Sequence, residues 1–294
     1  HVIQKIFSVL GTIFLAISNL FLNHQKLVLN KKVIIITGAS SGIGEHLSKS
    51  LAKKGAIIIC AARRKNELER VSNEIKKDGG SAYPIKTDIR ILDDCRKLMQ
   101  KTVEKYGKID ALILNAGLSM WSKFDEIEDI SYFKTLMDTN YMGAVNCCHY
   151  ALPYLKKTAG KIISSSTAQA LMGFPNHSGY AASKHALHGF LSTLSIELKY
   201  QISFLEVILG WIKGTNLRYN ALGQNDKNTK TEVRKHTEEA VDLNECVRKI
   251  ILAIESEKTK VYIPKKLSLI PFLKVFFTTL LEKKTIKAIE RNKK

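Results

Sequence analysis

A tyrosine and a lysine stand four residues apart, at Tyr180 and Lys184, in a stretch whose pattern predicts a helix over residues 178–200. Residues i and i+4 lie on the same side of a helix, so the phenol and the ammonium group would be neighbours. A phenol titrates near pH 10 in water, which is too high for ready proton exchange at neutral pH. A neighbouring cation favours the phenolate and lowers that pKa. The pair therefore predicts acid–base chemistry at Tyr180.

A glycine-rich loop, TGASSGIG, occupies residues 37–44, directly after a β-branched run and directly before a helical pattern. Glycines let the backbone turn tightly and approach a pyrophosphate, while the helix N-terminus supplies N–H groups and positive potential. A strand, a glycine loop and a helix in this order predict a dinucleotide site. The expected cofactor contacts in this loop are Gly38, Ser40, Ser41, Gly42, Ile43 and Gly44.

The end of the second predicted strand indicates which dinucleotide is bound. A site for NAD usually presents a carboxylate there, which holds the ribose 2′-hydroxyl. This chain instead has Arg63 and Arg64, with no acid until Glu67. Two guanidinium groups attract a 2′-phosphate, to which Ser40 or Ser41 could also donate. The sequence therefore favours NADP(H), the alternative being that the two arginines are only the solvated start of a helix.

The elements that must position these groups alternate between strand and helix. Helical patterns, among them a long one over 131–157, separate strand patterns at 32–36, 56–62, 82–86, 111–114, 161–164, 204–209 and 261–263. Continuous apolar strands with helices between them indicate a parallel sheet covered on both faces. The expected fold is α/β, with one doubly wound, Rossmann-type domain of about seven strands over residues 31–266.

Both ends of the chain are apolar. Residues 6–22 carry no charge and just reach the length of a membrane-spanning helix, so residues 1–30 are expected to be a membrane anchor. An interfacial helix and a cleaved signal are the alternatives, and the side of the membrane stays open. Residues 267–281 contain Pro271 and Lys274, which favours an interfacial or dimer-packing segment. With its basic tail, the extension over 267–294 predicts contact with an anionic membrane surface, or else a solvated, frayed end.

The chain is strongly basic, with 46 Lys and Arg against 27 Asp and Glu in 294 residues, a net charge of +19. Such an excess suggests phosphate, on a nucleic acid, a membrane or a cofactor. No zinc finger, aromatic RNA-binding motif or helix-turn-helix pattern accompanies the charge, so nucleic acid is not an expected partner. The five cysteines are odd in number and lack CxxC spacing, which predicts reduced thiols, and no metal site is expected.

Together these motifs resemble the short-chain dehydrogenase/reductase family, and the resemblance covers about residues 31–265. The residues that carry it, besides the glycine loop and the Tyr180–Lys184 pair, are Asp88, Asn115, Ala116, Gly117, Asn140, Gly210 and Thr215. The resemblance implies that Tyr180 protonates a carbonyl oxygen as hydride arrives from NADPH, or takes that proton in reverse.

Other roles follow from the same resemblance. Lys184 is expected to hold the nicotinamide ribose as well as to assist Tyr180. Asn140 is expected to fix a water that links Lys184 to solvent as a proton relay. Asp88 is expected to contact the adenine, and Asn115, Ala116 and Gly117 to line the cofactor.

The sequence departs from the family pattern at two places. Family members usually have a serine thirteen residues before the tyrosine, which polarises the carbonyl, and this chain has Thr167 there. Either Thr167 or, if the strand shifts by one residue, Ser166 would take that role. The second departure is the loop over 209–215, where Leu209 replaces the usual proline and an insertion displaces the threonine. Ile212 and Thr215 are the expected cofactor contacts in this loop.

Within the family, the apolar N-terminus and the YAASKHAL segment resemble the membrane-bound 11β-hydroxysteroid dehydrogenase-like and dehydrogenase/reductase member 7 groups. That resemblance implies a lipophilic carbonyl or alcohol (steroid, retinoid or lipid-like) as substrate, the endoplasmic reticulum membrane as location, and a homodimer paired through the helices near 131–157 and 178–200. The alternative function is a catalytically weak, membrane-attached binding or scaffold protein. Thr167 and the altered loop would support it.

Overall fold

A computed structural model of the chain describes residues 28–223, 240–256 and 258–290. Its centre is a parallel sheet in the order β3-β2-β1-β4-β5-β6-β7. The strands are β1 (Val33–Thr37), β2 (Ile57–Ala62), β3 (Ser81–Lys86), β4 (Ala111–Leu114), β5 (Lys161–Thr167), β6 (Ser203–Leu209) and β7 (Lys260–Ile263). The predicted doubly wound α/β sheet of about seven strands is therefore confirmed.

The helices that follow the strands cover both faces of the sheet. They are α1 (Gly42–Lys53), α2 (Lys65–Lys77), α3 (Leu92–Tyr106), α4 (Ser131–Met137), α5 (Gly143–Lys157), α6 (Ser178–Glu197), α7 (Leu243–Glu255), α8 (Ile270–Phe276) and α9 (Thr278–Glu290). Apolar side chains of α1, α2 and α7 pack on one face, and those of α3, α5 and α6 on the other. Because both faces are covered, β1, β4 and β5 are buried along their whole length, and apart from Lys161 they consist of apolar or small residues.

The long helix predicted over 131–157 is divided in the structure. A π turn at Asp138–Met142 separates α4 from α5. The hydrophobic periodicity continues through a π turn with only a small offset, so the sequence pattern does not reveal it. Such turns are frequent at functional sites because they re-aim one or two side chains.

The structure describes most of the C-terminal extension but little of the N-terminal segment. The proposed anchor segment, residues 1–30, lies outside the described residues except for its last three. Across the described ranges, no helix combines the length and the apolar character that a membrane crossing needs. The C-terminal extension does fold, as the short α8 and the longer α9, and its helices pack against residues 168–174 of the domain through Ile270 and Leu281.

All five cysteines are buried and none forms a disulfide, as their odd number and spacing predicted (Cys60, Cys95, Cys147, Cys148 and Cys246). Burial raises the pKa of the Cys60 thiol to about 11. The same cause raises the pKa of Cys148 and of Cys246 to about 12. These thiols therefore stay protonated at neutral pH.

Candidate active site

The candidate site lies at the carboxyl edge of the sheet, where the strand order reverses between β1 and β4. The loops after two adjacent strands leave in opposite directions at such a point and open a crevice between them. Here that crevice is a cavity of about 730 Å³ whose wall runs from the glycine loop to Tyr180 and Lys184.

The glycine loop forms one end of the cavity with very little space to spare. Gly38 and Gly42 have left-handed backbones, with φ of 67° and 57°. A Cβ at Gly44 would come within 2.3 Å of the Gly38 carbonyl oxygen, and a Cβ at Gly38 within 2.8 Å of Ala116 Cα. Side chains at these positions would fill the cradle, so the loop fits a pyrophosphate that approaches the backbone at the start of α1.

Arg64 closes this end of the cavity. Its Nη2 donates to the hydroxyl oxygens of Ser40 at 2.9 Å and of Ser41 at 2.8 Å. A guanidinium and two hydroxyls thus converge at the end of β2, where a site for NAD usually has a carboxylate. The arrangement has the donors that a phosphate monoester requires. Arg64, which precedes α2, thus contacts the glycine loop as well as beginning a helix.

Arg63 faces a different neighbour from Arg64. Hydrogen bonds from Arg90 hold the pKa of Asp88 below its usual range, and the charge of Arg63 acts in the same direction. Nη2 of Arg90 lies 2.6 Å from Asp88 Oδ2. Asp88 lines the cavity as an ionised, arginine-bound carboxylate.

Hydrogen bonds at the base of the cavity link the ends of three strands, β1, β4 and β5. The backbone N–H of Asn115 donates to Thr37 Oγ1 at 3.0 Å, and that of Ala116 to the same oxygen at 3.1 Å. The Asn115 amide donates to the Thr37 carbonyl at 3.1 Å, and Ser165 donates to Asn115 Oδ1 at 3.3 Å. Thr37 and Ser165 were not among the predicted site residues. Only the pairing of β1, β4 and β5 brings them to Asn115.

Asn140 projects from the π turn into the site. Its Nδ2 donates to the Leu118 carbonyl and to Ser183 Oγ, both at 2.9 Å, and its Oδ1 accepts from the Leu118 N–H at 2.8 Å. A Cβ built on Gly117 would lie 3.2 Å from Asn140 Oδ1 and 3.7 Å from Lys184 Nζ. Because Gly117 has no side chain, both Asn140 Oδ1 and Lys184 Nζ can lie beside it.

Tyr180 and Lys184 lie on one face of α6, as their spacing predicted. Nζ of Lys184 is 5.9 Å from the centroid of the Tyr180 ring and donates to the Ser165 carbonyl at 3.1 Å. Burial lowers the pKa of Lys184 to about 8, against the charge of Glu206, which raises it. Burial also raises the pKa of Tyr180 to about 12, against the hydrogen bond with Thr167. The lysine alone therefore does not bring the pKa of this phenol to neutral pH, and Tyr180 is protonated there.

The structure separates the two candidates for the hydroxyl beside Tyr180. Thr167, the last residue of β5, hydrogen-bonds to the phenol and donates to Gln169 Oε1 at 3.1 Å. Ser166 instead hydrogen-bonds to Glu206 of β6. Successive side chains of a strand point to opposite faces, so only one of the two reaches Tyr180. That residue is Thr167.

The far end of the cavity is aromatic and apolar. His177, one turn before Tyr180, packs edge-on against Trp121 at 4.9 Å and Phe174 at 5.4 Å between ring centroids. Phe174 in turn meets Trp211 at 6.3 Å. Leu217 and Leu267 also line this end. Sequence reasoning did not name these residues, because they come from loops that have no motif.

The loop over 209–215 returns to the cofactor end despite its departure from the family pattern. Ile212 forms a bridge with Val241 and is buried, while Thr215 lies 3.8 Å from the position a Cβ on Gly42 would take. Both residues line the cavity. Gly214 turns the backbone of this loop in the left-handed region, with φ of 80°.

No group of three or more His, Cys, Asp or Glu side chains arranged to hold a metal ion is found in the described part of the chain. The polar side chains that line the cavity carry hydroxyl, amide, guanidinium, carboxylate and ammonium groups.

Comparison with protein families decides which family this arrangement represents. The family described as short chain dehydrogenase matches residues 32–226, about two thirds of the chain. The chain belongs to the short-chain dehydrogenase family. The family that the motifs predicted is thereby confirmed.

Relatives of this short-chain dehydrogenase carry the two group names that the sequence resembles. It is 38% identical over 196 residues to 11-beta-hydroxysteroid dehydrogenase-like 4A of Arabidopsis thaliana, covering 66% of each chain. It is 42% identical over 184 residues to 11-beta-hydroxysteroid dehydrogenase 1A of the same plant, covering 62% of this chain and 52% of that one. With the Dictyostelium discoideum "Dehydrogenase/reductase SDR family protein 7-like" it shares 35% over 228 residues, 76% of this chain and 70% of that one. The matched stretch spans roughly half to two thirds of the first two relatives.

Solved structures share the fold of this short-chain dehydrogenase. A short-chain dehydrogenase/reductase from Burkholderia phymatum in complex with NAD superposes with a TM-score of 0.74 at 18% identity, covering 87% of this chain and 96% of that one. An alcohol dehydrogenase from the archaeon Thermococcus sibiricus, complexed with 5-hydroxy-NADP, gives 0.69 at 22% identity, covering 79% and 96%.

Proposed function

We propose that this short-chain dehydrogenase is an NADP(H)-dependent oxidoreductase that interconverts a carbonyl and a secondary alcohol on a lipophilic substrate. The observation that carries the proposal is the cluster of Tyr180, Lys184 and Thr167, buried in the wall of a cavity that begins at a phosphate-sized glycine cradle. A proton donor thus lies in the same cavity as a cradle that fits a dinucleotide.

The chain's own residues account for the proton and for the position of the substrate oxygen. When bound, the nicotinamide supplies or accepts a hydride. Tyr180 is protonated at neutral pH and gives its phenolic proton to the carbonyl oxygen. The Thr167 hydroxyl, which donates to Gln169 Oε1 in the free protein, would turn to donate to the same oxygen and stabilise the negative charge that develops there. Lys184 holds the ribose and offsets negative charge on the phenol after the proton has left.

The preference for NADP(H) rests on Arg64 with Ser40 and Ser41. A phosphate on the ribose 2′ position would meet the Arg64 guanidinium and two hydroxyls at the end of β2. The carboxylate of Asp88, which also lines the cavity, is bound by Arg90. The measurement that decides the preference is the dissociation constant for NADPH against that for NADH on the purified protein.

A lipophilic substrate is supported by the aromatic far end of the cavity. The rings of Phe174, His177 and Trp211 line the cavity that contains Tyr180, and Trp121 packs against His177. Such a wall favours burial of apolar area over hydrogen bonding to a polar substrate. Relatives whose names include 11-beta-hydroxysteroid dehydrogenase agree with this class of substrate.

The test of the proposed reaction is NADPH oxidation with a panel of steroid, retinoid and fatty aldehyde or ketone substrates. Tyr180→Phe, which keeps the buried ring, is expected to lower kcat/KM by about 10²–10⁴-fold while leaving NADPH affinity within a small factor. Turnover that survives this substitution would exclude Tyr180 as the proton donor. Binding of NADPH with no oxidation by any carbonyl would favour the binding or scaffold protein.

We further propose that the protein works at an anionic membrane surface, which it contacts through its C-terminal helices. Six large apolar side chains of the extension are each 45–72% exposed and form what we term the C-terminal face: Leu269, Phe272, Val275, Phe276, Phe277 and Leu280. Three phenylalanine rings stack within this face, with centroids 4.9 Å and 5.8 Å apart. An exposed apolar patch of this kind marks an interaction site.

The charge around the C-terminal face favours a lipid occupant. Residues 265–287 contain six lysines and one carboxylate, Glu282. Lys274 donates to the Leu171 carbonyl at 2.8 Å and Lys266 lines the cavity, which leaves Lys265, Lys283, Lys284 and Lys287 as the charge around this face. A two-fold contact between copies of this chain would bring the same lysines against each other, which costs energy, whereas an anionic bilayer neutralises them. The other side of the helices packs on Phe174, and Leu267 lines the cavity. Docking here would therefore bring the substrate end of the cavity close to the lipid.

The experiment must report on the C-terminal face alone, because the apolar residues 6–22 could bind vesicles by themselves. Phe276→Trp in the full chain is expected to be quenched by brominated lipid in vesicles that contain phosphatidylserine, more than the native tryptophans are. Tyr200→Trp, at a site 94% exposed beyond the far end of α6, is the matched control and should not be quenched. Absence of extra quenching would overturn the proposal. Self-association that is lost in Phe276→Ser would assign the face to a dimer.

A further inference from the structure

A carboxylate that the proposed reaction does not use lies beneath the catalytic helix. Along β6, Leu205, Val207 and Leu209 point to the face covered by α7, where they join its apolar core. The alternation of a strand then turns Glu206 to the opposite face, under α6. Its side chain is only 13% exposed. A carboxylate in such a place requires partners, since burying it alone is costly.

Glu206 has partners from three elements. Nδ1 of His188 on α6 donates to Oε1 at 2.7 Å, and Nζ of Lys260 on β7 lies 3.3 Å from Oε2. The hydroxyl of Ser166 on β5 also hydrogen-bonds to it. Burial alone would raise the pKa of Glu206, but His188, Lys260 and Ser166 lower it below the usual range. The carboxylate is therefore ionised at neutral pH.

The position of this carboxylate relates it to Lys184. Tyr180, Lys184 and His188 follow each other at steps of four residues, so they form one stripe along α6. Lys184 Nζ donates to the carbonyl of Ser165, which lies on β5 between Ser164, the register partner of Glu206, and Ser166, its hydrogen-bond partner. The stripe thus runs from the phenol, past the ammonium group, to the imidazole that holds Glu206.

Among the described residues, two titratable groups are the nearest to act on Lys184 in this layer, one by contact and one by its charge. Tyr180 lies one turn before it on α6, and Glu206 faces it from β6, while Asn140 is the neutral neighbour from the π turn. The negative charge of Glu206 opposes the effect of burial on Lys184. His188 and Lys260, which bind the carboxylate from the outer side, fix where that charge is located.

We propose that Glu206, held by His188, Lys260 and Ser166, is a positioning residue that keeps Lys184 in its ammonium form during the reaction proposed above. The inference rests on the proposed function for its consequence, because an ammonium at Lys184 is the form that assists Tyr180. The coupling between Glu206 and Lys184 is a property of the chain and can be measured without turnover.

The kinetic test is the pH profile of kcat/KM in Glu206→Gln. The amide keeps the shape and can still accept from His188, but the charge is gone. Lys184 should then lose its proton at lower pH, so the alkaline limb of the profile should move by roughly half a unit to one unit towards acid. At pH 6, where Lys184 is protonated in both proteins, kcat/KM should change little. A purely structural effect would instead lower kcat/KM by a similar factor at every pH.

The matched control is Glu255→Gln. Glu255 is also a mostly buried carboxylate, 16% exposed, and it pairs with Lys54 at 2.7 Å. It lies at the C-terminus of α7, away from Lys184. Glu255→Gln should therefore leave the alkaline limb of the kcat/KM profile at the same pH as in the wild type. A limb that moves equally in both variants would overturn the proposal.

A direct titration separates this proposal from the proposed function. In protein labelled with ¹³C at lysine Cε, the resonance that disappears in Lys184→Arg reports the charge of Lys184. In Glu206→Gln this resonance should titrate at a lower pH, displaced by the same amount as the alkaline limb of the kcat/KM profile. An unmoved titration would overturn the coupling even in an active enzyme. A moved titration in a protein without NADPH turnover would retain the coupling and reject the reaction.

Discussion

Thr167 and Tyr180 meet through their hydroxyl groups, from the end of β5 and the first turn of α6. The contact places a second hydroxyl beside the proton donor, at the position where family members usually have serine. The β-branched methyl group of threonine fixes the rotamer of this hydroxyl. The exchange of serine for threonine thus retains the functional group and restricts its freedom.

The first prediction concerns that hydroxyl. Thr167→Val, which keeps the shape, is expected to lower kcat by about 10²–10³-fold because a donor to the substrate oxygen is lost. Thr167→Ser should stay within about an order of magnitude of wild type, since it retains the donor. The comparison variant is Ser166→Ala, whose loss at pH 7 should be much smaller. The opposite ranking, with Ser166→Ala the more damaging, would contradict the assignment.

The second prediction concerns cofactor choice. Arg64→Ala removes the guanidinium that binds Ser40 and Ser41, so affinity for NADPH should fall by about 10–100-fold. Affinity for NADH, which has no 2′-phosphate, should change little. Lys65→Ala removes a neighbouring exposed cation and controls for general charge. Titration of each protein by fluorescence gives both dissociation constants, and parallel losses for the two cofactors would refute a phosphate contact.

The third prediction concerns the destabilisation of the folded protein by the buried ammonium group of Lys184. Its pKa falls from the ordinary 10.5 to about 8 on burial, so the folded state binds this proton less tightly than the unfolded state does. The difference corresponds to roughly 3 kcal/mol of destabilisation below pH 8, which declines as pH rises through 8 to 10. Lys184→Met should therefore raise the melting temperature of the cofactor-free protein at pH 7, although it abolishes turnover.

The advantage of Lys184→Met should shrink at pH 10, where the unfolded lysine also begins to lose its proton. Exposed Lys199→Met is the control and should show no such pH dependence. A lower melting temperature for Lys184→Met at pH 7 would mean that the ammonium group stabilises the free enzyme.

The fourth prediction concerns the glycine cradle. Gly44→Ala places a methyl group 2.3 Å from the Gly38 carbonyl oxygen and 2.6 Å from the Asn115 amide, so the loop must open. Binding of NADPH should become undetectable at concentrations that saturate the wild type. Gly189→Ala, on α6 with open space around its Cβ, is the matched control. It should bind normally and gain up to about 1 kcal/mol from helix propensity. Normal binding in Gly44→Ala would exclude the cradle as the phosphate site.

The sequence allows the fold and the chemically distinctive residues to be predicted, because each has a local signal. The glycine loop follows a strand and opens a helix, Arg63 and Arg64 end the next strand, and Tyr180 and Lys184 share a helical spacing. Each of these patterns fixes a side chain relative to its immediate neighbours, and the parallel sheet then places them along one edge.

The rest of the site depends on contacts between distant segments. The spacing to Tyr180 favours Thr167, but a strand shift of one residue would substitute Ser166. Only the pairing of β5 with β6 and the packing of α6 decide which one meets Tyr180. The π turn at Asn140 leaves the helical periodicity almost intact, and the aromatic far end combines loops without motifs. In the sequence, Glu206 is an isolated charged residue within an apolar strand, and only the structure places His188 and Lys260 beside it.

The burial of all five cysteines makes the protein convenient for site-specific labelling. Protonated, enclosed thiols react slowly with maleimides, because the thiolate is the reactive form. A cysteine introduced at an exposed position of the described surface, such as Val275 or Ile196, would then be the preferred point of attachment for a probe. Spin labels or fluorophores could follow the C-terminal helices during catalysis without the replacement of any native thiol.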